Sequence, residues 1–150
     1  MGKVQTPFDT LTYKTIGMAM SVHNELGPGL YEEMYKRAIM ILMDADGVGY
    51  DCEFSVPIEF RGKSIGCFRL DLVVERQIIL ELKAIATLAP IHEQQALTYL
   101  AASGLEVALL INFGAPHLEY RRLFPSKAVQ SSPAYTIRKS RLKSQQSIIR

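Results

Sequence analysis

Apolar residues recur every three to four positions through the first third of the chain, a spacing that predicts two helices. The first helix is expected over residues 9–26, and Gly27-Pro28-Gly29 ends it. The second is expected over residues 30–45, with Glu32 and Glu33 in its first turn, where carboxylates suit the positive end of the helix dipole. Its predicted buried stripe comprises Leu30, Met34, Ala38, Ile41 and Leu42.

From residue 50 the periodicity changes to two, because apolar and mostly polar positions alternate as far as residue 60. This alternation predicts a half-buried strand, and Pro57 makes it an edge strand, since proline has no N–H to donate to a second neighbour. The further elements predicted from the pattern are strands over residues 65–74, 78–85, 106–113 and 117–124 and a helix over residues 91–103. Meandering strands followed by a helical crossover indicate a mixed sheet with helices on its faces, an α/β sandwich.

The composition is that of a single folded domain. The chain has 150 residues, of which 48% are hydrophobic and 21% are charged, so it can bury a core and is neither disordered nor fibrous. No apolar run approaches the roughly 20 residues that span a bilayer, so no membrane association is expected. Two cysteines, Cys52 and Cys67, are too few for a disulfide framework, and the expected location is the cytoplasm.

Charge is divided unevenly along the chain. Residues 131–150 carry five basic residues and no acidic ones, whereas residues 1–130 carry 12 basic and 15 acidic residues, a net charge of −3. The sequence therefore predicts a globular domain over residues 1–125 and a basic, flexible C-terminal tail over residues 126–150. Such a tail could follow the phosphates of a nucleic acid, or it could be only a solubilising end.

Three charged residues interrupt the apolar strands at the centre of the predicted sheet. Glu81 and Lys83 are two positions apart, so a pleated strand directs both to the same face, and Asp71 lies on the neighbouring strand. Buried charges need a partner, and a divalent cation can serve two carboxylates at once. Mg²⁺ bound through such oxygens leaves room for water and a phosphate, while a lysine can hold the attacking water. The pattern therefore predicts a metal site for phosphodiester chemistry.

The length of the connection between the two strands decides whether the carboxylates meet. A three-residue connection over residues 75–77 places Asp71 opposite Glu81, whereas a two-residue turn would direct them to opposite faces of the sheet. We therefore predict the three-residue connection. The alternative to a metal site is a strand-to-strand salt bridge of Asp71 or Glu81 with Lys83 that has no catalytic role, since ion pairs on sheets are common.

Leu70-Asp71 followed by Glu81-Leu82-Lys83 resembles the signature of the PD-(D/E)XK nuclease superfamily, with leucine in place of the usual proline. Residues 29–35 read Gly29-Leu30-Tyr31-Glu32-Glu33-Met34-Tyr35 and are similar to the signature of its GxxExxY family. The resemblance implies a restriction-endonuclease-like three-layer sandwich with the element order ααβββαββ. It also implies a Mg²⁺-dependent nuclease, with Mn²⁺ as a substitute ion and with Asp71, Glu81 and the Leu82 carbonyl as metal ligands.

Three further site residues follow from the resemblance. Related nucleases carry a Gln-x-x-x-Tyr element beside the metal, which Gln95 and Tyr99 match on the third predicted helix. On the residues alone, these two side chains could instead belong to a solvated polar face. Glu32 corresponds to the helical acidic residue that often completes such a site as a further metal ligand, although stabilisation of the helix dipole explains it equally well.

The sequence therefore predicts a metal-dependent nuclease whose partner is nucleic acid, with DNA expected rather than RNA. Two other classes of protein remain open. One is a catalytically inactive nuclease-fold module that binds nucleic acid or protein, which the net charge of −3 over residues 1–130 would suit. The other is a small adaptor that forms a homodimer through its edge strand.

Overall fold

The computed structural model describes residues 8–149, with side chains as far as Ser144. The helices are α1 (Asp9–Leu26), α2 (Glu32–Asp46), α3 (Pro90–Ser103), α4 (Lys127–Gln130) and α5 (Pro133–Ile149). The strands are β1 (Tyr50–Phe60), β2 (Lys63–Val74), β3 (Ile78–Lys83), β4 (Val107–Asn112) and β5 (Glu119–Leu123). The elements predicted before residue 125 are confirmed, apart from small shifts at their ends. Among the described residues, no helix is both long and apolar enough to cross a membrane.

The strands form one mixed sheet in the order β1-β2-β3-β4-β5. β3 and β4 are parallel, because the chain returns through α3 between them, and the other neighbouring strands are antiparallel. β1 lies at the edge of this sheet, as Pro57 predicts. The mixed sheet and its flanking helices confirm the predicted α/β class.

Two apolar cores, one on each face of the sheet, give the fold three layers. α1 and α2 pack on one face, where Val22 and Ile39 are buried, and α3 packs on the other through Ala96 and Leu100. β3 and β4 are covered on both faces, which explains why their sequences are almost continuous apolar runs. Glu81 is therefore a carboxylate in a strand whose other buried side chains are all apolar.

The buried face of α2 differs from the stripe predicted for it. The residues that α2 buries are Tyr35, Lys36, Ile39 and Met43. Ile41, predicted to be buried, is 67% exposed. The helix is thus turned by one position, about 100°, from the expected orientation. The reason is that Tyr35 stacks on the ring of Phe113, with 4.5 Å between ring centroids, and brings Lys36 inward with it.

The structure has helices where the sequence predicted a flexible tail, so that prediction is wrong for the part of α5 that packs on the domain. Tyr135 is buried, and its hydroxyl donates to the Leu105 carbonyl at 2.7 Å. Lys139 pairs with Glu106 at 2.6 Å. These contacts come from one aromatic residue and one lysine on a mostly polar helix, so the hydrophobic pattern did not reveal them. Arg150, the last basic residue of the predicted tail, lies outside the described residues.

Removing the Tyr135 hydroxyl should weaken the attachment of α5. The Tyr135→Phe variant leaves the Leu105 carbonyl without this donor, and such a loss typically costs about 1–2 kcal/mol of unfolding free energy. Urea unfolding measures this loss, with Tyr120→Phe as the matched control because Tyr120 is 40% exposed. Equal unfolding free energies for the two variants would show that the hydroxyl does not hold the helix.

Candidate active site

The candidate site lies where strands β2 and β3 separate. Their ladder pairs Leu72 with Leu80 across the connection formed by residues 75–77. This is the predicted three-residue connection, and it directs Asp71 and Glu81 toward each other. The ladder ends at Leu72, so the two carboxylates stand at the mouth of the gap that opens between the strands.

Asp71 also binds the backbone of β3, the strand that separates from β2 at this point. Its carboxylate oxygen Oδ2 accepts a hydrogen bond from the N–H of Leu82 at 3.1 Å. In a continued ladder a main-chain carbonyl would occupy that position, so the side chain replaces a lost backbone partner. The Leu82 N–H, which lacks a main-chain partner on β2 once the strands separate, thereby holds Asp71 at the end of the gap.

A backbone distortion lies opposite Asp71. Glu53 of β1 faces it and has a φ of 53°, in the left-handed region that side chains other than glycine seldom adopt. Before this point Leu70 packs into the α3 core, and after it Leu72 packs into the core of α1 and α2. The simple alternation predicted for β2 is therefore wrong at Asp71. Local distortions of this kind re-aim side chains beside functional sites.

The carboxyl groups of Asp71 and Glu81 lie close enough to share a hydrogen bond when one of them is protonated. Glu81 is 5% exposed, and its Oε2 atom has no hydrogen-bond partner among the described residues. Burial first, and then the neighbouring Asp71, raise the pKa of Glu81 to about 9. Two carboxylates in contact resist double ionisation, so without a cation the pair holds one proton at neutral pH.

Lys83 lies two positions beyond Glu81 on β3 and reaches toward α3. Its ammonium donates from Nζ to the side-chain carbonyl oxygen Oε1 of Gln95 at 3.3 Å. Tyr99, one turn further along α3, is 9% exposed, so the alternative of a solvated polar face is wrong for this residue. Burial, followed by the charges of Glu81 and Asp71, raises the pKa of its hydroxyl. The structure thus brings Gln95 and Tyr99 to the same site.

Glu32, the first residue of α2, affects the site through its charge. Partial burial and then the charge of Asp71 raise the pKa of Glu32, while Lys83 opposes them. Within the described part of the chain, no three or more histidine, cysteine, aspartate or glutamate side chains are close enough together to hold a metal ion. The structure therefore joins Asp71 with Glu81 and does not bring Glu32 into the pair, because Glu32 sits at an exposed helix start.

Lys36 is a neighbour of the site that the sequence analysis missed. Its side chain is 7% exposed and lies one turn after Glu32 on α2. Burial opposes its charge, yet a hydrogen bond with Cys52 and the charges of Glu33 and Asp71 together raise the pKa of Lys36. Its spacing of four residues from Glu32 was the available signal, since residues at that spacing share a helix face.

A hydrogen-bonded clamp, formed by Asn112 and Glu119, fixes the chain just after Lys83. The fully buried Asn112 side chain accepts from the N–H of Ile85 and donates to the Ile85 carbonyl, both at 2.9 Å. It also donates to Glu119 at 2.8 Å, and Glu119 accepts from the N–H of Leu88 at 3.1 Å. The hydrogen bond from Asn112 contributes most to lowering the pKa of Glu119. The connection from β3 to α3 is thereby held at both ends.

The segment from α1 to β5 matches a known protein family. Residues 9–123 match the model of the PD-(D/E)XK nuclease superfamily. The chain belongs to this superfamily. The fold is accordingly restriction-endonuclease-like, as the resemblance of the motifs implied.

Solved structures resemble this chain at low sequence identity. The crystal structure of SSO0001 matches with a TM-score of 0.50 and 15% identity, over 79% of this chain and 58% of that one, so this chain spans less than two thirds of its length. The crystal structure of an alkaline exonuclease from Laribacter hongkongensis matches with a TM-score of 0.48 and 9% identity, over 97% of this chain and 86% of that one. No curated protein matches the sequence.

Proposed function

We propose that this PD-(D/E)XK protein is a divalent-metal-dependent nuclease that hydrolyses phosphodiester bonds, with DNA as the expected substrate. The observation that carries the proposal is the close approach of the buried Glu81 carboxyl group and the half-buried Asp71 carboxyl group at the open end of a strand pair. A purely structural ion pair would place the ammonium of Lys83 on one of these carboxylates, yet its hydrogen bond goes to Gln95. The carboxylates are thus left for a different cation.

The available donor atoms suit a hard cation. Asp71 and Glu81 offer carboxylate oxygens, one of them buried without a partner, and the Leu82 carbonyl follows Glu81 directly in the chain. We assign these three groups to Mg²⁺, with Mn²⁺ as a substitute. When bound, such an ion offsets negative charge on a phosphate and lowers the pKa of a coordinated water. Glu32 is assigned to the outer edge of the site, where its carboxylate can accept hydrogen bonds from water.

The remaining residues act on water and phosphate. Lys83 holds the attacking water and stabilises negative charge that develops at phosphorus. Gln95 positions Lys83 by accepting its hydrogen bond. Tyr99, the pKa of which is raised chiefly by burial, can donate a hydrogen bond from its hydroxyl to a phosphate oxygen. Lys36 adds a buried positive charge close to Asp71, which partly offsets the acidity of the domain.

We further infer that the chain is a GxxExxY protein, because each fixed position of that signature has a separate role. Gly29 has a φ of 111°, which glycine adopts readily, and allows the turn into α2. Glu32 starts the helix beside the site. The Tyr35 hydroxyl donates to the Gly27 carbonyl at 2.6 Å and accepts from the N–H of Leu30 at 3.1 Å, so it holds the turn closed.

Cleavage assays test this function. Wild type, Lys83→Ala and Lys14→Ala would be incubated with single- and double-stranded DNA and RNA in the presence of Mg²⁺, Mn²⁺ or EDTA. We expect metal-dependent cleavage by the wild type and by Lys14→Ala, because Lys14 is an exposed lysine of α1 that has no role in the candidate site. Lys83→Ala should show only the background seen in EDTA, because the attacking water loses its holder. A folded wild type that binds nucleic acid but cleaves none with any metal would instead be the inactive module.

A further inference from the structure

An open groove of about 430 Å³ lies between the edge strand β1 and helices α3 and α5. Phe54 and Pro57 of β1 and Ile137 of α5 give it an apolar wall, and Arg138 and Arg141 of α5 border it. Ile137 is 52% exposed, so a large apolar side chain faces solvent here. The nuclease mechanism proposed above makes no use of this surface.

The α5 side of the groove is positively charged. Residues 133–149 contain four basic residues and no acidic residue. Lys139 is paired with Glu106, and Arg138 donates to the Ala101 carbonyl at 2.9 Å, so both serve to attach the helix. Arg141 is exposed and lines the groove, whereas Glu59 borders it on the β1 side. Arg141 is therefore well placed to bind an anionic group that enters the groove.

Helix α3 runs from the carboxylate pair to the groove. Gln95, Tyr99 and Ser103 follow one another at four-residue spacing and so lie along the same side of the helix. Gln95 contacts Lys83, Tyr99 lies near Glu81, and Ser103 lines the groove. The helix axis advances about 12 Å from the first of these residues to the last. The groove therefore begins about 12 Å along α3 from the carboxylate pair, a distance that a few nucleotides of a strand bound at the pair can span.

We propose that this groove holds a single-stranded segment of the nucleic-acid substrate. The proposal rests on the nuclease function and extends it to a preference for substrates with a single-stranded extension. Base faces can cover the apolar wall while Arg141 binds a phosphate, which is the combination that single-strand binding surfaces use. A duplex keeps its bases stacked inside and would leave the apolar wall uncovered.

Binding without cleavage tests the proposal, so the full chain is kept in EDTA. Fluorescence anisotropy would follow a labelled oligothymidylate and a blunt duplex of the same length at low and moderate salt. Arg141→Glu should weaken oligothymidylate binding about tenfold and reduce the slope of log K against log salt by roughly 0.7, the value of one lost phosphate contact. Lys14→Glu makes the same charge change on α1 and should alter binding by less than about twofold.

A second variant examines the apolar wall. Ile137→Ser should weaken binding of oligothymidylate more than binding of an abasic oligomer of equal length, because only the former has bases to contact the wall. Similar losses for the two oligomers would contradict this role. Thermal unfolding would confirm that each variant is folded before its binding is compared.

Several outcomes would overturn the groove proposal. They are equal losses for Arg141→Glu and Lys14→Glu, a blunt duplex bound as tightly as oligothymidylate, or polyglutamate bound as tightly as the oligomer, which would indicate an acidic protein partner. A different result would contradict the nuclease function. A wild type that binds oligothymidylate through Arg141 but cleaves no nucleic acid would contradict the nuclease and leave the groove as a binding site.

Discussion

The Glu81→Gln variant should be more stable than the wild type without metal, and the gain should grow as the pH rises. In the folded protein the pKa of Glu81 is raised from its ordinary value of 4.5 to about 9, chiefly by burial. Between these values the folded state retains a proton that the unfolded state releases, so the wild type loses stability as the pH increases through this range. Glutamine carries no charge at any of these pH values and escapes the loss.

The expected gain for Glu81→Gln is small near about pH 4.5 and reaches up to about 3 kcal/mol near neutral pH. Urea unfolding in EDTA at acidic and mildly alkaline pH measures it. Glu25→Gln is the matched control, because Glu25 is exposed on α1 and its variant should follow the wild type. Added Mg²⁺ should stabilise the wild type but not Glu81→Gln. A variant with the same pH dependence as the wild type would contradict a proton-sharing pair.

Replacing Gly114 with alanine should destabilise the protein by roughly 3 kcal/mol or more. The new Cβ would overlap the backbone N and O of Ile85 and lie 2.7 Å from the carbonyl carbon of Ala84. These backbone atoms follow Lys83 directly, and Asn112 binds both the N–H and the carbonyl of Ile85. The chain therefore cannot move away without breaking the clamp.

Gly17→Ala is the matched control for this substitution. Gly17 lies within α1, and a Cβ added there meets nothing within 4 Å. Alanine should therefore stabilise the protein by about 0.5–1 kcal/mol, through its higher helix propensity. The same chemical change is thus expected to act in opposite directions at the two glycines. If Gly114→Ala unfolds at the urea concentration of the wild type, the connection after β3 yields easily and the clamp is not rigid.

Features that depend on neighbouring residues could be predicted from the sequence. Periodicity located the helices and strands up to residue 125, and Pro57 identified the edge strand. The charges of Asp71 and Glu81 stood out because apolar positions surround them, and the three-residue connection between their strands is short enough to reason about directly. These signals lie within a few positions of the residues that they describe.

Features that depend on distant contacts were missed or predicted wrongly. Lys36 looks like an ordinary surface lysine until Cys52 and Asp71, from other elements, lie beside it. The clamp joins Asn112 at the end of β4 to Ile85 in the connection between β3 and α3. No local sequence pattern marks that pairing. Tyr135 attaches α5 to the domain through a single buried ring. The rest of this stretch is mostly polar, and that composition led to the prediction of a tail.

Asp71 and Glu81 are joined by a hairpin with a short connection, whereas β4 reaches β3 only after the chain has passed through α3. Closing a short loop loses less chain entropy than closing a long one, so we expect the hairpin to form early in folding and the parallel pairing late. The two carboxylates then meet while water still surrounds them, and Glu81 loses that water when α3 and β4 arrive. A proton or a bound cation on the pair thus becomes a condition for completing the fold rather than for starting it.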